Sequence, residues 1–239
     1  FLHANFAGFR IYTAMNVCLR MQDFVFNELK KSIKEQERLV LLLGKSGLGK
    51  SFLLKKLCQE ENYILFAKPF FDEKSFIKAL FENCFNQNND NFDTLYEQLK
   101  KAHQKYVFLL DEVGMYEENL LEKVRILSDL TNVSFVLALH KKQELLCKEH
   151  FSSRISKEFK LEALDLNDLA LYAREKFDLN LDNKHLNWLL KISCSNLRTV
   201  DKVLATFIKL YDFYESQKRK KSTQNILEMS AFHHKLLGK

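Results

Sequence analysis

The chain has 239 residues, of which 46% are apolar and 28% charged. That balance belongs to a folded protein with a sizeable core, and it excludes disordered and fibrous chains. The formal charge of +6 allows an acidic partner without requiring one, because much of the excess is gathered in Lys218, Arg219, Lys220 and Lys221.

In residues 16–36, Val17, Leu19, Met21, Phe24, Val25, Leu29 and Ile33 recur at mostly helical spacing, which predicts an amphipathic helix. Leu39 to Leu43 is a continuous apolar run of strand length closed by Gly44, as expected of a strand buried on both faces of a parallel sheet. A glycine-rich loop and a helix over about residues 50–60 follow. Residues 63–67 predict a second strand, with Pro69 at its exit, and residues 73–85 and 92–103 predict two helices. Tyr106 to Leu110 and Val133 to Leu139 are two further buried strands, with a helix over residues 117–130 between them. Strands alternating with helices imply right-handed crossovers in a parallel sheet covered on both faces.

After about Leu161 the alternation stops. Residues 165–177, 182–193 and 196–214 keep helical periodicity with no strand between them, and a basic link leads to a last helix over residues 223–237. The expected organisation is an N-terminal segment and helix (1–36), an α/β core (37–160), a helical lid (161–215), and a basic link with a C-terminal helix (216–239). Six phenylalanines, Phe66, Phe70, Phe71, Phe76, Phe81 and Phe85, are expected in the core. Cys18, Cys58, Cys84, Cys147 and Cys194 form no C-x-x-C pair and read as reduced, mostly buried thiols. No apolar run approaches the roughly 20 residues of a membrane span, and the start lacks the order of a signal peptide, so a cytoplasmic location, peripheral at the inner membrane face at most, is expected.

The segment Gly44, Lys45, Ser46, Gly47, Leu48, Gly49, Lys50, Ser51 satisfies G-x-x-x-x-G-K-[ST], and it stands between a buried strand and a helix, as a phosphate-binding loop must. Glycines let the backbone N–H groups and the helix N-terminus face anionic oxygen. Lys50 is then expected on the β- and γ-phosphates of ATP, and the Ser51 hydroxyl on Mg²⁺. The apolar run from Tyr106 to Leu110 ends in Asp111 and Glu112, the Walker B arrangement: Asp111 to hold Mg²⁺ through water, and Glu112 to polarise the attacking water. The extra strand at 133–139 fits a sheet in which one strand lies between the two Walker strands, the additional-strand branch of P-loop ATPases.

Together with Leu120 to Leu130 and Phe135 to Leu139, these segments resemble the AAA+ ATPases of the general-secretion-pathway A type, relatives of the transposition-regulator ATPases, over roughly residues 23–211. The resemblance implies an α/β, three-layer αβα P-loop NTPase of the AAA+ type with an all-helical C-terminal lid. It implies a sensor at His140, although the Gly-Gln-Pro-Glu-Leu turn usual there is replaced by His140-Lys141-Lys142-Gln143-Glu144-Leu145; His140 also suits a plain strand cap. It implies an arginine finger at Arg154 in Ser152-Ser153-Arg154-Ile155, where a surface arginine at a helix end is the alternative. It implies a second sensor at Arg198 in Ser195-Asn196-Leu197-Arg198, with Asn196 suited to cap the helix.

The resulting expectation is a Mg-ATP hydrolase, self-associating with ATP, that serves as motor or switch for a membrane-associated secretion or DNA-uptake machine. The alternative is a DNA-bound regulator of transposition or replication-initiator type. Lys218, Arg219, Lys220 and Lys221 read either as a solvated helix end or as a phosphate or lipid contact.

Overall fold

Five segments pair into one sheet in the computed structural model, which describes residues 19–237. They are β1 (Leu39–Leu43), β2 (Ile64–Phe66), β3 (Tyr106–Leu110), β4 (Val133–Leu139) and β5 (Ile155–Lys160), in the order β2-β3-β4-β1-β5, and all pairs are parallel. β4 therefore separates the two strands that end in the glycine loop and in Asp111, so the fold is the additional-strand P-loop NTPase type. Every residue of β4 is buried, which is why its seven residues are apolar apart from Ser134. The helices of this unit, Met21–Glu162, are α1 (Arg20–Lys34, almost all within it), α2 (Lys50–Glu60), α3 (Glu73–Phe85), α4 (Phe92–Lys101), α5 (Glu118–Ser128) and the short α6 (Glu149–Ser152). The predicted first helix thus begins later, and Asn16, Val17 and Cys18 lie outside the described residues.

The core on the sheet is aromatic. Phe76, Phe81, Phe108, Phe135 and Phe151 are fully buried, and Phe108 meets Phe135 at 5.2 Å between ring centroids. Full burial of such a side chain contributes about 1.5–3 kcal/mol. Phe66, Phe70 and Phe85 pack against that cluster, but Phe71 is 65% exposed and does not belong to it. The thiols also depart from expectation: Cys147 and Cys194 are exposed, and Cys58 and Cys84 only half-buried. Burial pushes the Cys84 thiol up to about 12.

β5 corrects the strand count read from the sequence. Its residues alternate half-buried and exposed, in Ile155, Lys157 and Phe159 against Ser156, Glu158 and Lys160, as suits a charged edge strand. Arg154 therefore directly precedes the last strand of the sheet.

The second unit comprises, among the described residues, 163–237 with 19 and 20. It is all helical: α7 (Leu166–Phe177), α8 (Asn183–Ser193), α9 (Leu197–Ser216) and α10 (Thr223–His233) close on a core that includes Leu169, Leu189, Val200, Leu204 and Leu227. Asp165, Asp182, Asn196 and Ser222 cap these helices, each accepting the backbone N–H three residues on. Among the described residues no helix is long and apolar enough to cross a membrane.

Candidate nucleotide site

The sheet register collects the chemistry-bearing residues on one edge. Leu43 pairs with Leu139 and Leu110 with Leu137, so the loops after β1, β3 and β4 all leave from the carboxyl edge of three adjacent strands. Gly44, Asp111, Glu112 and His140 follow directly. This is where open parallel sheets take their ligands.

The loop after β1 is tied down at its start by the Gly44 N–H, which donates to the Leu139 carbonyl at 3.1 Å. Gly49, at φ +101°, then turns the chain into α2 in a left-handed conformation that side chains resist. Gly49 supplies no side-chain cap, and α2 has no acidic residue in its first turn. Its first residue is instead a lysine, the wrong sign for a helix N-terminus unless an anion arrives. Lys50 is 5% exposed, and its ammonium donates to the carbonyls of Gly44 at 2.6 Å and Lys45 at 3.2 Å, so the cation lies against the loop's own backbone. Ser51, half-buried, is the next residue of α2.

Asp111 is 4% exposed at the end of β3, and its Oδ1 accepts the Glu112 N–H at 2.9 Å. Glu112 sits at φ 52°, ψ 35°, a left-handed conformation that costs a non-glycine residue about 1–3 kcal/mol and persists where the surrounding structure over-determines it. Its carboxylate meets His140 Nε2 at 3.2 Å, both side chains being partly exposed. His140, read from the sequence as a sensor or a strand cap, thus meets the second residue of the Asp111–Glu112 pair. The Gln143 amide ties the two loops together by donating to the Gly114 carbonyl at 3.1 Å.

The set suits Mg-ATP. An uncapped helix start, a buried ammonium on the loop and a buried carboxylate at one sheet edge are the groups that phosphate and a hard cation call for. Among the described residues no cluster of His, Cys, Asp and Glu could cage a metal by itself. A hard cation held by one hydroxyl, one carboxylate and substrate phosphates needs no such cage.

Arg154 is absent from this edge. It ends the turn from α6 into β5, and Ile155 pairs with Leu39, the first residue of β1, whereas the glycine loop follows Leu43, the last. The two therefore leave from opposite ends of β1, which are about 13 Å apart at the ordinary rise per residue. The Arg154 guanidinium is bound in two places to Asp129, Nε to Oδ1 at 2.7 Å and Nη2 to Oδ2 at 3.0 Å, and also donates to the His150 carbonyl at 2.6 Å. The hydrogen bonds to Asp129 raise its pKa further. Arg198 is an exposed residue in the first turn of α9, in the helical unit. One residue of the site escaped the sequence reading. The side-chain amide of Gln22, on α1, donates to the Leu48 carbonyl in the glycine loop at 2.8 Å.

Residues 33–145 match the model of a family described as an AAA domain, a span that holds the glycine loop, Asp111, Glu112 and His140. The chain carries an AAA+ P-loop ATPase domain. It is an ATP hydrolase that works with ATP and Mg²⁺, as that family does. No curated protein matches the sequence. Three similar solved structures agree on the fold. The RuvB Holliday junction branch migration motor of Thermotoga maritima is 15% identical, with a TM-score of 0.58 over 88% of this chain and 68% of its own. A Walker-type ATPase of Pyrococcus abyssi is 16% identical, with a TM-score of 0.60 over 95% and 76%. The ORC1 protein of Aeropyrum pernix, in complex with DNA, is 14% identical, with a TM-score of 0.60 over 92% and 66%. The AAA+ match stops short of Arg154 and of the helical unit.

Proposed function

We propose that the glycine loop from Gly44 to Ser51 holds the phosphates of ATP, that Lys50 neutralises the β- and γ-phosphates, and that Ser51 and Asp111 hold Mg²⁺. The metal, when bound, draws charge from the phosphate oxygens. Glu112 orients and polarises the water, and His140 holds the Glu112 carboxylate in place. The observation that carries this reading is the start of α2: an uncapped helix opening on a buried lysine, beside Asp111 and Glu112 on the same sheet edge. Lys50→Ala is expected to abolish tight ATP binding. Glu112→Gln is expected to bind ATP and to hydrolyse it about 10²–10⁴-fold more slowly, since the amide keeps the shape and loses the charge. Unchanged ATP affinity in Lys50→Ala would remove the glycine loop from the site; normal turnover in Glu112→Gln would assign the water to another residue.

Arg154 acts in this reading on the nucleotide of a neighbouring copy, since its sheet end is remote from its own loop. Arg198 acts on the nucleotide as a second sensor. The resemblance to the general-secretion-pathway A type supports work as motor or switch for a membrane-associated secretion or DNA-uptake machine. A DNA-bound regulator is the second reading. Lys218, Arg219, Lys220 and Lys221 are all exposed in the turn between α9 and α10, and two of the similar structures are described by a Holliday junction and by DNA.

A further inference from the structure

We propose that Gln22 is a positioning residue for nucleotide binding, acting from α1 by fixing the plane of the Leu48–Gly49 peptide; this rests on the glycine loop being the phosphate site. Gln22 is 3% exposed and lies among the buried residues of α1, with Val25, Phe26, Leu29 and Ile33. A glutamine in that apolar stripe is costly unless its amide is hydrogen-bonded. Here Nε2 donates to the Leu48 carbonyl, 26 residues away in sequence.

The consequence follows from peptide geometry. In a planar trans peptide the C=O and the next N–H point in opposite directions. A Leu48 carbonyl held toward α1 turns the Gly49 N–H away from α1. That amide belongs to the run of N–H groups at the start of α2 that faces phosphate in a loop of this kind. One side chain from outside the loop thus sets the aim of one of its donors before ligand arrives.

Two further observations support the arrangement. A Cβ on residue 49 would lie 2.3 Å from Gln22 Nε2 and displace that amide, and the φ of +101° independently favours glycine there. α1 is also laced to α2: Asp23 pairs with Lys56 at 3.6 Å, the Lys56 ammonium lies 4.2 Å from the Phe26 ring centroid, and Lys30 pairs with Glu60 at 2.6 Å. Gln22 is therefore presented by a helix fixed to the one that the loop begins, which is the condition for pre-organisation.

The test is Gln22→Met, which keeps the length and loses the donor, with Gln22→Asn as a polar variant one methylene short. ATP and ADP affinities are measured by titration with fluorescent nucleotide, alongside thermal melting and saturating turnover. Both variants are expected to bind ATP and ADP about tenfold more weakly than the parent chain, with kcat falling less than affinity and the melting temperature nearly unchanged. Parent-like affinity in a folded variant overturns the proposal. So does an affinity loss that only tracks a loss of thermal stability, or failure of both variants to fold, since each makes Gln22 a packing residue. If the unsubstituted chain binds no nucleotide, the phosphate-site reading fails first, and that result is separate.

Discussion

In the helical unit α7, α8, α9 and α10 open on Asp165, Asp182, Asn196 and Ser222, whose side chains satisfy the helix amides at once. In the sheet unit α3 and α4 do the same on Asp72 and Asn91, and α5 and α6, without a side-chain cap, carry Glu118 and Glu149 in their first turns, whereas α2 opens on Gly49 followed by Lys50 with neither cap nor acid. Both units are built by the same chemistry, so the difference is informative. A helix that must only fold meets its own N-terminus with a cap or an acidic first turn; one that must take an anion leaves the work to the ligand. The contrast extends to side chains, because the Arg154 guanidinium is held by a carboxylate of its own chain, whereas the Lys50 ammonium rests on backbone carbonyls of its loop.

Arg154 puts that contrast at greatest risk, since it is fully paired at home and yet proposed to act on a neighbouring copy. Its partners belong to a network in which Arg125 Nε meets Glu122 at 2.7 Å and His150 Nε2 meets Glu122 at 2.9 Å. Burial would raise the Glu122 pKa, but the bonds from Arg125 and His150 outweigh it and lower it. Arg154→Ala is expected to cost about 10³–10⁵ in ATP turnover if the guanidinium meets the phosphate of a neighbour. Loss of a partly exposed ion pair alone would cost about 0–1 kcal/mol of stability and leave turnover intact. Mixing Arg154→Ala with Lys50→Ala copies should restore part of the rate, because an intact loop can then meet an intact arginine. A fully active Arg154→Ala variant, or a mixture that recovers nothing, leaves Arg154 as the anchor of Asp129 only.

A smaller effect sharpens the other side of the comparison. Lys218, Arg219, Lys220 and Lys221 are exposed, and the Lys221 ammonium lies 4.8 Å from the Tyr214 ring centroid. Neutralising all four should weaken duplex binding and reduce its logarithmic salt slope by up to about four. An unaltered slope gives the run to solvent and withdraws support from the DNA-bound reading.

What was legible beforehand divides along the same line. β1, β3, β4 and α3 have the bounds read from the sequence, because a continuous apolar run or a strong helical period is a local signal. The glycine loop and Asp111–Glu112 were legible for the same reason. β5 was not: Ile155 to Lys160 is short, half charged and on the sheet edge, so its only signal was a weak alternation. Gln22 and the meeting of His140 with Glu112 were hidden because each pairs residues more than 20 apart in sequence, and only the fold closes that distance. Gln22 did leave a trace, as a polar residue in the apolar stripe of α1.

The smallest effect separates two roles within one turn of helix. Asn196 caps α9 by accepting the Thr199 N–H at 3.2 Å, and Arg198 is the exposed second residue of that helix. Asn196→Ala should remove about 1 kcal/mol of stability, a fall of about 2–4 °C in melting temperature for a chain of this size, because an N-cap is lost. Arg198→Ala should act in the opposite direction. A cation in the first turn opposes the helix dipole, so its removal should leave stability unchanged or raise it by about 0.3–1 kcal/mol. Reduced ATP turnover at undiminished stability in Arg198→Ala would then mark an arginine kept for its ligand at a cost to its helix, the same exchange that Lys50 makes at the start of α2. Undiminished turnover would make Arg198 a solvated side chain, and the contrast between the units would hold for the glycine loop alone.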